Sequence, residues 1–198
     1  GSTVVVPYSS GQVVAIDRNK GEITWQGAVA GQRRGAAVAY LQEITGDPVV
    51  SGGKVYVGSS SGRTVAFNAG NGQMLWDAKE GSMNAVWAAG GSVFLVSDQG
   101  RLVRLNAETG ETVWSVAMGQ DTRTPARKQL EVYGHYGPVL AGGRLVVVSS
   151  DGQMRFFSPE SGASLGAIAM GDGAVAPPAV AGGTIYVLTS KGQLRAFR

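Results

Sequence analysis

An all-β propeller is the fold class this sequence predicts, and three recurring markers predict it. Gly11, Gly62, Gly100, Gly152 and Gly192 each separate two apolar runs, at intervals of 51, 38, 52 and 40 residues. The pair Gly52-Gly53 returns as Gly90-Gly91, Gly142-Gly143 and Gly182-Gly183, at intervals of 38, 52 and 40. Asp17, Asn68, Asn106 and Ser158 form the third series, and four residues after each comes Gly21, Gly72, Gly110 or Gly162. Independent markers sharing one set of intervals define a structural repeat.

Each marker has a local physical reason. The glycine pairs sit between apolar runs such as Pro48-Val49-Val50 and Val55-Tyr56-Val57, where a tight hairpin needs positive φ. The Asp, Asn or Ser position closes an Asx- or Ser-type turn that the glycine four residues on completes. The second strand of each repeat is continuously apolar, as in Val93-Phe94-Leu95-Val96 and Leu145-Val146-Val147-Val148, which suits a strand covered on both faces. Third strands such as Leu102-Val103-Arg104-Leu105 mix polar and apolar residues and are expected in a more exposed position. One unit is thus four short strands in about 40 residues, the size of a propeller blade.

Four residues beyond the turn glycine stand Trp25, Trp76 and Trp114, then Gly166. A recurrent indole is a wedge between stacked blades. Gly166 implies that the fourth blade is packed by something else. Residues 1–198 read as a single propeller domain with blades at approximately 3–28, 46–80, 83–118, 137–170 and 175–198. That is a partial ring of three full blades and two partial ones. Its open terminal blades point to a larger ring, or to two copies that assemble into one.

Composition agrees with a compact β protein. Apolar residues make up 43% of the 198, charged residues 16%, and there are 31 glycines and no cysteine. The net charge of +3 is too mild for the dense basic stripe of a nucleic-acid binder. No apolar run is long enough to span a bilayer as a helix.

Two of the four intervals are longer by about a dozen residues, and the extra residues fall between blades, at Val29–Thr45 and Met118–Tyr136. Being equivalent in the repeat, these connections should emerge on the same face of the disc. The first carries Arg34, Tyr40, Leu41, Glu43 and Thr45, with Asp47 just beyond it as a further candidate, and the second carries Arg127, Leu130 and Tyr133. Arg, Tyr and Leu are anchor residues at interfaces, and insertions in repeat folds commonly carry function.

Catalytic chemistry finds little support in the residues. His135 is the sole histidine and is expected in a loop, so a Ser-His-Asp arrangement has one candidate base. No His/Cys cluster suggests a metal, and no Gly-x-x-x-x-Gly-Lys-Ser/Thr loop suggests a bound nucleotide. Asp17, Glu22, Glu108 and Glu111 are read as turn residues.

The unit Ala15-x-Asp17-x-x-x-Gly21-x-x-x-Trp25, repeated as Ala66-x-Asn68-x-x-x-Gly72-x-x-x-Trp76, resembles the repeat of the pyrroloquinoline-quinone (PQQ) type propellers. Within that superfamily the chain is similar to the BamB family, on Ser10-Gly11-Gln12-Val13, Gly21-Glu22-Ile23-Thr24-Trp25, Gly72-Gln73-Met74-Leu75-Trp76 and Lys191-Gly192-Gln193-Leu194-Arg195. The resemblance implies the C-terminal half of an eight-bladed ring. It implies a non-enzymatic periplasmic scaffold of the outer-membrane β-barrel assembly machinery in a Gram-negative bacterium. It implies no cofactor, BamA and other assembly subunits as partners, unfolded outer-membrane proteins as further partners, and membrane attachment through a lipid outside this chain. The family loop matching Leu41–Asp47 contacts BamA through acidic residues and a leucine. Leu41 and Glu43 match, whereas Thr45 stands where the family has a second acid. The competing readings are a fragment of a PQQ-dependent dehydrogenase, which needs a calcium site and often adjacent cysteines, and a periplasmic ligand-binding or sensor propeller.

Overall fold

A computed structural model of the chain describes residues 2–29, 44, 46–119 and 133–198. The described residues form only strands and turns, in five antiparallel sheets that follow one another along the chain. The first sheet has three strands, β1 (Thr3–Pro7), β2 (Gln12–Asp17) and β3 (Ile23–Ala28). Three four-stranded sheets follow. They are β4 (Val49–Ser51) to β7 (Met74–Ala78) by way of β5 (Lys54–Ser59) and β6 (Arg63–Asn68), then β8 (Trp87–Ala89), β9 (Ser92–Val96), β10 (Arg101–Asn106) and β11 (Thr112–Ala117), and then β12 (His135–Ala141), β13 (Arg144–Ser149), β14 (Gln153–Phe157) and β15 (Ser164–Ala169). The last sheet is β16 (Ala179–Ala181), β17 (Thr184–Leu188) and β18 (Leu194–Phe197). Three full blades between two partial ones is the architecture the repeat predicts.

The apolar runs are explained by the stacking. Because side chains alternate across a strand, Val93 and Leu95 of β9 enter the core shared with the sheet before, while Phe94 and Val96 enter the core shared with the sheet after. Leu145 and Val147 of β13 face one neighbour, and Val146 and Val148 the other. The third strands are equally double-sided: Val65 and Phe67 of β6 face back and Ala66 faces forward. Their expected exposure is therefore corrected. The exposed position belongs to the fourth strand, and every residue of β15 is exposed. A third strand lies inside its sheet, so its occasional polar residues bond internally, as Arg104 does to the Ser92 hydroxyl at 2.9 Å.

The turns follow the sequence markers. Both residues of each Gly-Gly pair have positive φ, 56° and 76° at Gly52-Gly53, which is the demand of a type I′ hairpin. The Asp17, Asn68 and Asn106 carboxyl or amide oxygens each accept from the backbone N–H two and three residues on. The turn glycine N–H then donates back to the carbonyl of the Asx or Ser residue, at 2.8 to 2.9 Å in all four repeats.

The indoles join one sheet to the next. Trp25 donates its Nε1–H to Ala69 O at 3.0 Å, Trp76 to Ala107 O at 3.0 Å and Trp114 to Pro159 O at 3.3 Å. Each acceptor lies one residue past the Asx or Ser position of the following sheet. Trp25 and Trp76 are buried, but Trp114 is half-buried. Trp25 and Trp76 pair across their sheets with Ala15 and Ala66, while Trp114 pairs with Arg104, which competes for the same Pro159 carbonyl. At Gly166 the bulk has moved to the neighbouring strand: Phe156 stands opposite it, where Ala15 and Ala66 face indoles.

Candidate functional site

The antiparallel order fixes two different faces. The Gly-Gly hairpins and the Asx turns close one end of each blade. The turn between second and third strands closes the other end, and there the chain also crosses to the next blade. Both long connections therefore root on this second face, as the repeat predicts. The first strands of the central sheets, β4, β8 and β12, lie side by side and line the inner edge of the stack together with β16.

A series overlooked in the sequence organises this face. Three residues before each glycine of the first marker stands a hydroxyl residue: Tyr8, Ser59, Ser97, Ser149 and Thr189. The last four are buried. The backbone carbonyls of Tyr8, Ser97, Ser149 and Thr189 accept from the turn glycine, with Gly100 on Ser97 at 3.0 Å and Gly152 on Ser149 at 3.1 Å. The hydroxyls close the same turns, as Ser97 Oγ does for the Gln99 and Arg101 amides at 3.2 Å. The signal was available as Ser/Thr-x-x-Gly, a side chain that replaces a missing backbone acceptor.

The stem of the first connection leaves at Val29, whose N–H donates to Gly11 O at 2.8 Å, and returns at Ile44, which bridges to Ser59. Gly46 then passes so close to Asn84 that a Cβ there would collide with its backbone carbonyl. Asp47 follows, exposed, before Pro48 leads into β4. Of the first-connection candidates, Arg34, Tyr40, Leu41, Glu43 and Thr45 lie outside the described residues.

The second connection leaves after Met118, whose N–H donates to Gly100 O at 3.1 Å. Arg127 and Leu130 also lie outside the described residues. Tyr133 is placed, and it turns inward: its ring meets His135 edge-on at 5.3 Å and lies 5.6 Å below the Arg155 guanidinium. His135 is not a loop residue. It opens β12, is buried, and sits between Ser149 Oγ at 2.7 Å and Gly119 O at 2.5 Å. A carbonyl can only accept, so Nε2 carries the proton, and Nδ1 accepts from the Ser149 hydroxyl. Ser149 Oγ accepts in turn from Arg155 at 2.8 Å, and Arg155 pairs with Asp151. This chain ties Gly119 at one end of the connection to Tyr133 and His135 at the other. Ser149 is fully buried, so its contact with the histidine is a clasp and offers no nucleophile to a substrate.

The two stems meet at Asn84. Gly46 packs on its backbone, and its side-chain amide donates to His135 O at 3.3 Å. Around them the charges are internally paired, Arg63 with Asp77, Arg155 with Asp151, and Lys191 and Arg195 with Asp172. Lys191 beside Asp172 holds its carboxyl below the usual range. Burial pushes Asp151 up, but hydrogen bonds from Arg155 and the Gln153 amide outweigh it and leave Asp151 lowered. Among the described residues no three His, Asp or Glu side chains gather where they could hold a metal.

Burial lowers the His135 pKa, the Gly119 hydrogen bond opposes this, and the Arg155 charge lowers it further. The unfolded chain therefore takes up this proton first. The clasp contributes its full stability above the ordinary histidine value of about 6.5 and loses it as pH falls through the folded value. Denaturant midpoints should fall between about pH 7.5 and about pH 5.5, and His135→Gln should flatten that slope. Equal slopes in both proteins would remove His135 from the clasp.

Comparison with known proteins gives one consistent family. The family model described as "Outer membrane protein assembly factor BamB" matches residues 1–116 and 99–198. Curated proteins of that name are similar in sequence. The Legionella pneumophila (strain Paris) protein is 27% identical over 178 residues, covering 89% of this chain and 43% of the relative. The Pseudomonas aeruginosa protein is 30% identical over 82 residues, covering 41% of this chain and 22% of the relative. The chain thus spans less than half the length of the curated relatives it matches. Among solved structures, BamB from Moraxella catarrhalis superposes over the whole chain and 58% of its own, with a TM-score of 0.75 at 21% identity. A europium-containing methanol dehydrogenase matches 99% of this chain and 49% of its own, at 0.64 and 16%. At these identities the structural likeness speaks for the propeller fold, which assembly factor and dehydrogenase share.

Proposed function

This chain belongs to the family of the outer membrane protein assembly factor BamB, and we propose that it is a non-enzymatic periplasmic scaffold that docks on BamA and holds barrel precursors near the assembly machinery. One observation carries the reading: the two long blade connections root side by side, on a face whose buried framework holds their stems at Asn84 and His135. Rigid blades carrying variable connections are the usual build of a protein-binding surface. The contact to BamA is assigned to the first connection, with Leu41 as apolar anchor, Glu43 as charged orienter, and Arg34, Tyr40, Thr45 and Asp47 around them. Arg127 and Leu130 form a second patch, while Tyr133 serves its stem.

Burying Leu41 would contribute about 1.5–3 kcal/mol, and a partly exposed Glu43 pair about 0–1 kcal/mol that weakens with salt. Leu41→Ala should therefore weaken binding to the periplasmic part of BamA more than Glu43→Gln does, and only the latter loss should shrink at high salt. Unchanged affinity in both variants, with the fold intact, would move the contact to the second connection.

A further inference from the structure

The three four-stranded sheets meet at two junctions whose places correspond one to one. Between the second and third sheets, Lys54 follows the Gly-Gly hairpin and reaches the Glu108 carboxylate in the next sheet's Asx turn at 2.6 Å. The Lys54 side chain is 16% exposed, so its stem covers the crevice and its ammonium stays at the rim. Opposite Trp76 in that junction stands Ala66. Between the third and fourth sheets the places of Lys54, Ala66 and Glu108 are held by Ser92, Arg104 and Glu160. The short serine leaves this crevice open as a cavity of about 180 Å³, walled by Ala89, Phe94 and Leu140 and lined also by Ser92, Arg104 and the exposed Glu160. Arg104 spends its Nε–H on Ser92 Oγ at 2.9 Å and its Nη1 on the carbonyls of Pro159 and Glu160 at 3.4 and 3.1 Å, all neutral acceptors. Among the described residues its Nη2 has no acceptor, and neither Arg104 nor Glu160 forms an ion pair, with the other or elsewhere.

We propose that this cavity binds a free α-amino acid with an apolar side chain. The repeat itself shows half of the chemistry: the ligand's ammonium meets Glu160 as the Lys54 ammonium meets Glu108. Arg104 supplies the other half, because the open edge of its guanidinium at Nη2 is a donor for the ligand's carboxylate. The side chain then lies against Phe94 and Leu140, where its burial is favourable. Two opposite charges that share one cavity without pairing complement a zwitterion, whereas a plain carboxylate or a plain amine answers only one of them. The volume lies below the roughly 300–1,000 Å³ usual for pockets of drug-sized ligands, which suits one amino acid and excludes a longer peptide. The crevice opens at the Gly-Gly hairpin end of the blades, away from the two long connections, so its occupancy is independent of the contact assigned to them.

The test is titration of the 198-residue chain with L-leucine, followed by NMR of the Leu140 methyl groups. Saturable shifts of the Leu140 signals are expected, with weaker binding of 4-methylpentanoate, which keeps the carboxylate and the branched chain but lacks the ammonium. Glu160→Gln, at an exposed position, should weaken L-leucine by about fivefold, the range of one exposed ion pair, and leave 4-methylpentanoate unchanged. The double variant Ser92→Lys with Arg104→Ala rebuilds the set that closes the neighbouring junction, and it should abolish binding of both with the melting temperature retained. Absence of saturable binding would overturn the proposal. So would equal affinity for L-leucine and 4-methylpentanoate in the unaltered chain, indifference of L-leucine binding to Glu160→Gln, or undiminished binding in a folded double variant.

Discussion

Trp76→Ala should cost about 3–5 kcal/mol of folding stability, the range for emptying a large aromatic from a core. The Trp76 side chain is 7% exposed and lies in the core between the second and third sheets, beside Tyr56 at 5.8 Å between ring centroids. Removing it opens a void that the flanking strands, fixed by their own ladders, cannot close. It also deletes the 3.0 Å hydrogen bond to Ala107 O, the tie that fixes how the third sheet's turn sits on the second. An acceptor left without its donor adds to the loss wherever water does not reach it. Trp114→Ala should cost less, because Trp114 is half-buried and Arg104 already serves the same carbonyl. Urea unfolding of both variants gives the comparison. A loss below about 1 kcal/mol for Trp76→Ala would show that stacking does not depend on the indole.

The fold was legible because its determinants are local and repeated. A Gly-Gly pair and an Asx-x-x-x-Gly turn specify backbone conformations that few other residues adopt, and their spacing sets strand length. What could not be read was exposure across a sheet. Arg104 makes β10 look like a surface strand, yet its guanidinium reaches the carbonyls of Pro159 and Glu160, partners more than fifty residues away. The same limit applied to His135. Beside Tyr133 and Tyr136 it reads as a loop residue, and only the register of β12 against β13 brings it onto Ser149. The Ser/Thr-x-x-Gly series was present in the sequence but was eclipsed by the glycines it accompanies. For Gly166, the repeat showed that something must differ, and the cross-strand pairing shows what: Phe156 in place of an alanine.

The glycines beneath the indoles give the second large effect. Gly110 has φ of +75°, and a Cβ built on it would lie 2.6 Å from the Trp76 ring. Gly110→Ala therefore carries two costs of different origin. Holding an L-residue in the left-handed region costs about 1–2 kcal/mol, and forcing the indole away from the turn costs about 1–3 kcal/mol more, as overpacked cores do. A double-mutant cycle separates them. In the Trp76→Ala background the collision is gone, so Gly110→Ala should cost only the backbone share. Coupling of about 1–3 kcal/mol between the two positions is the expected result, measured from urea midpoints with matching slopes. Strict additivity would mean that the turn and the indole do not press on each other, and the wedge would then have to act through Nε1 and Ala107 O alone. Gly21→Ala is the internal control. Gly21 has φ of +70°, and a Cβ added there would meet no atom within 4 Å, so its replacement should cost the backbone share and nothing more.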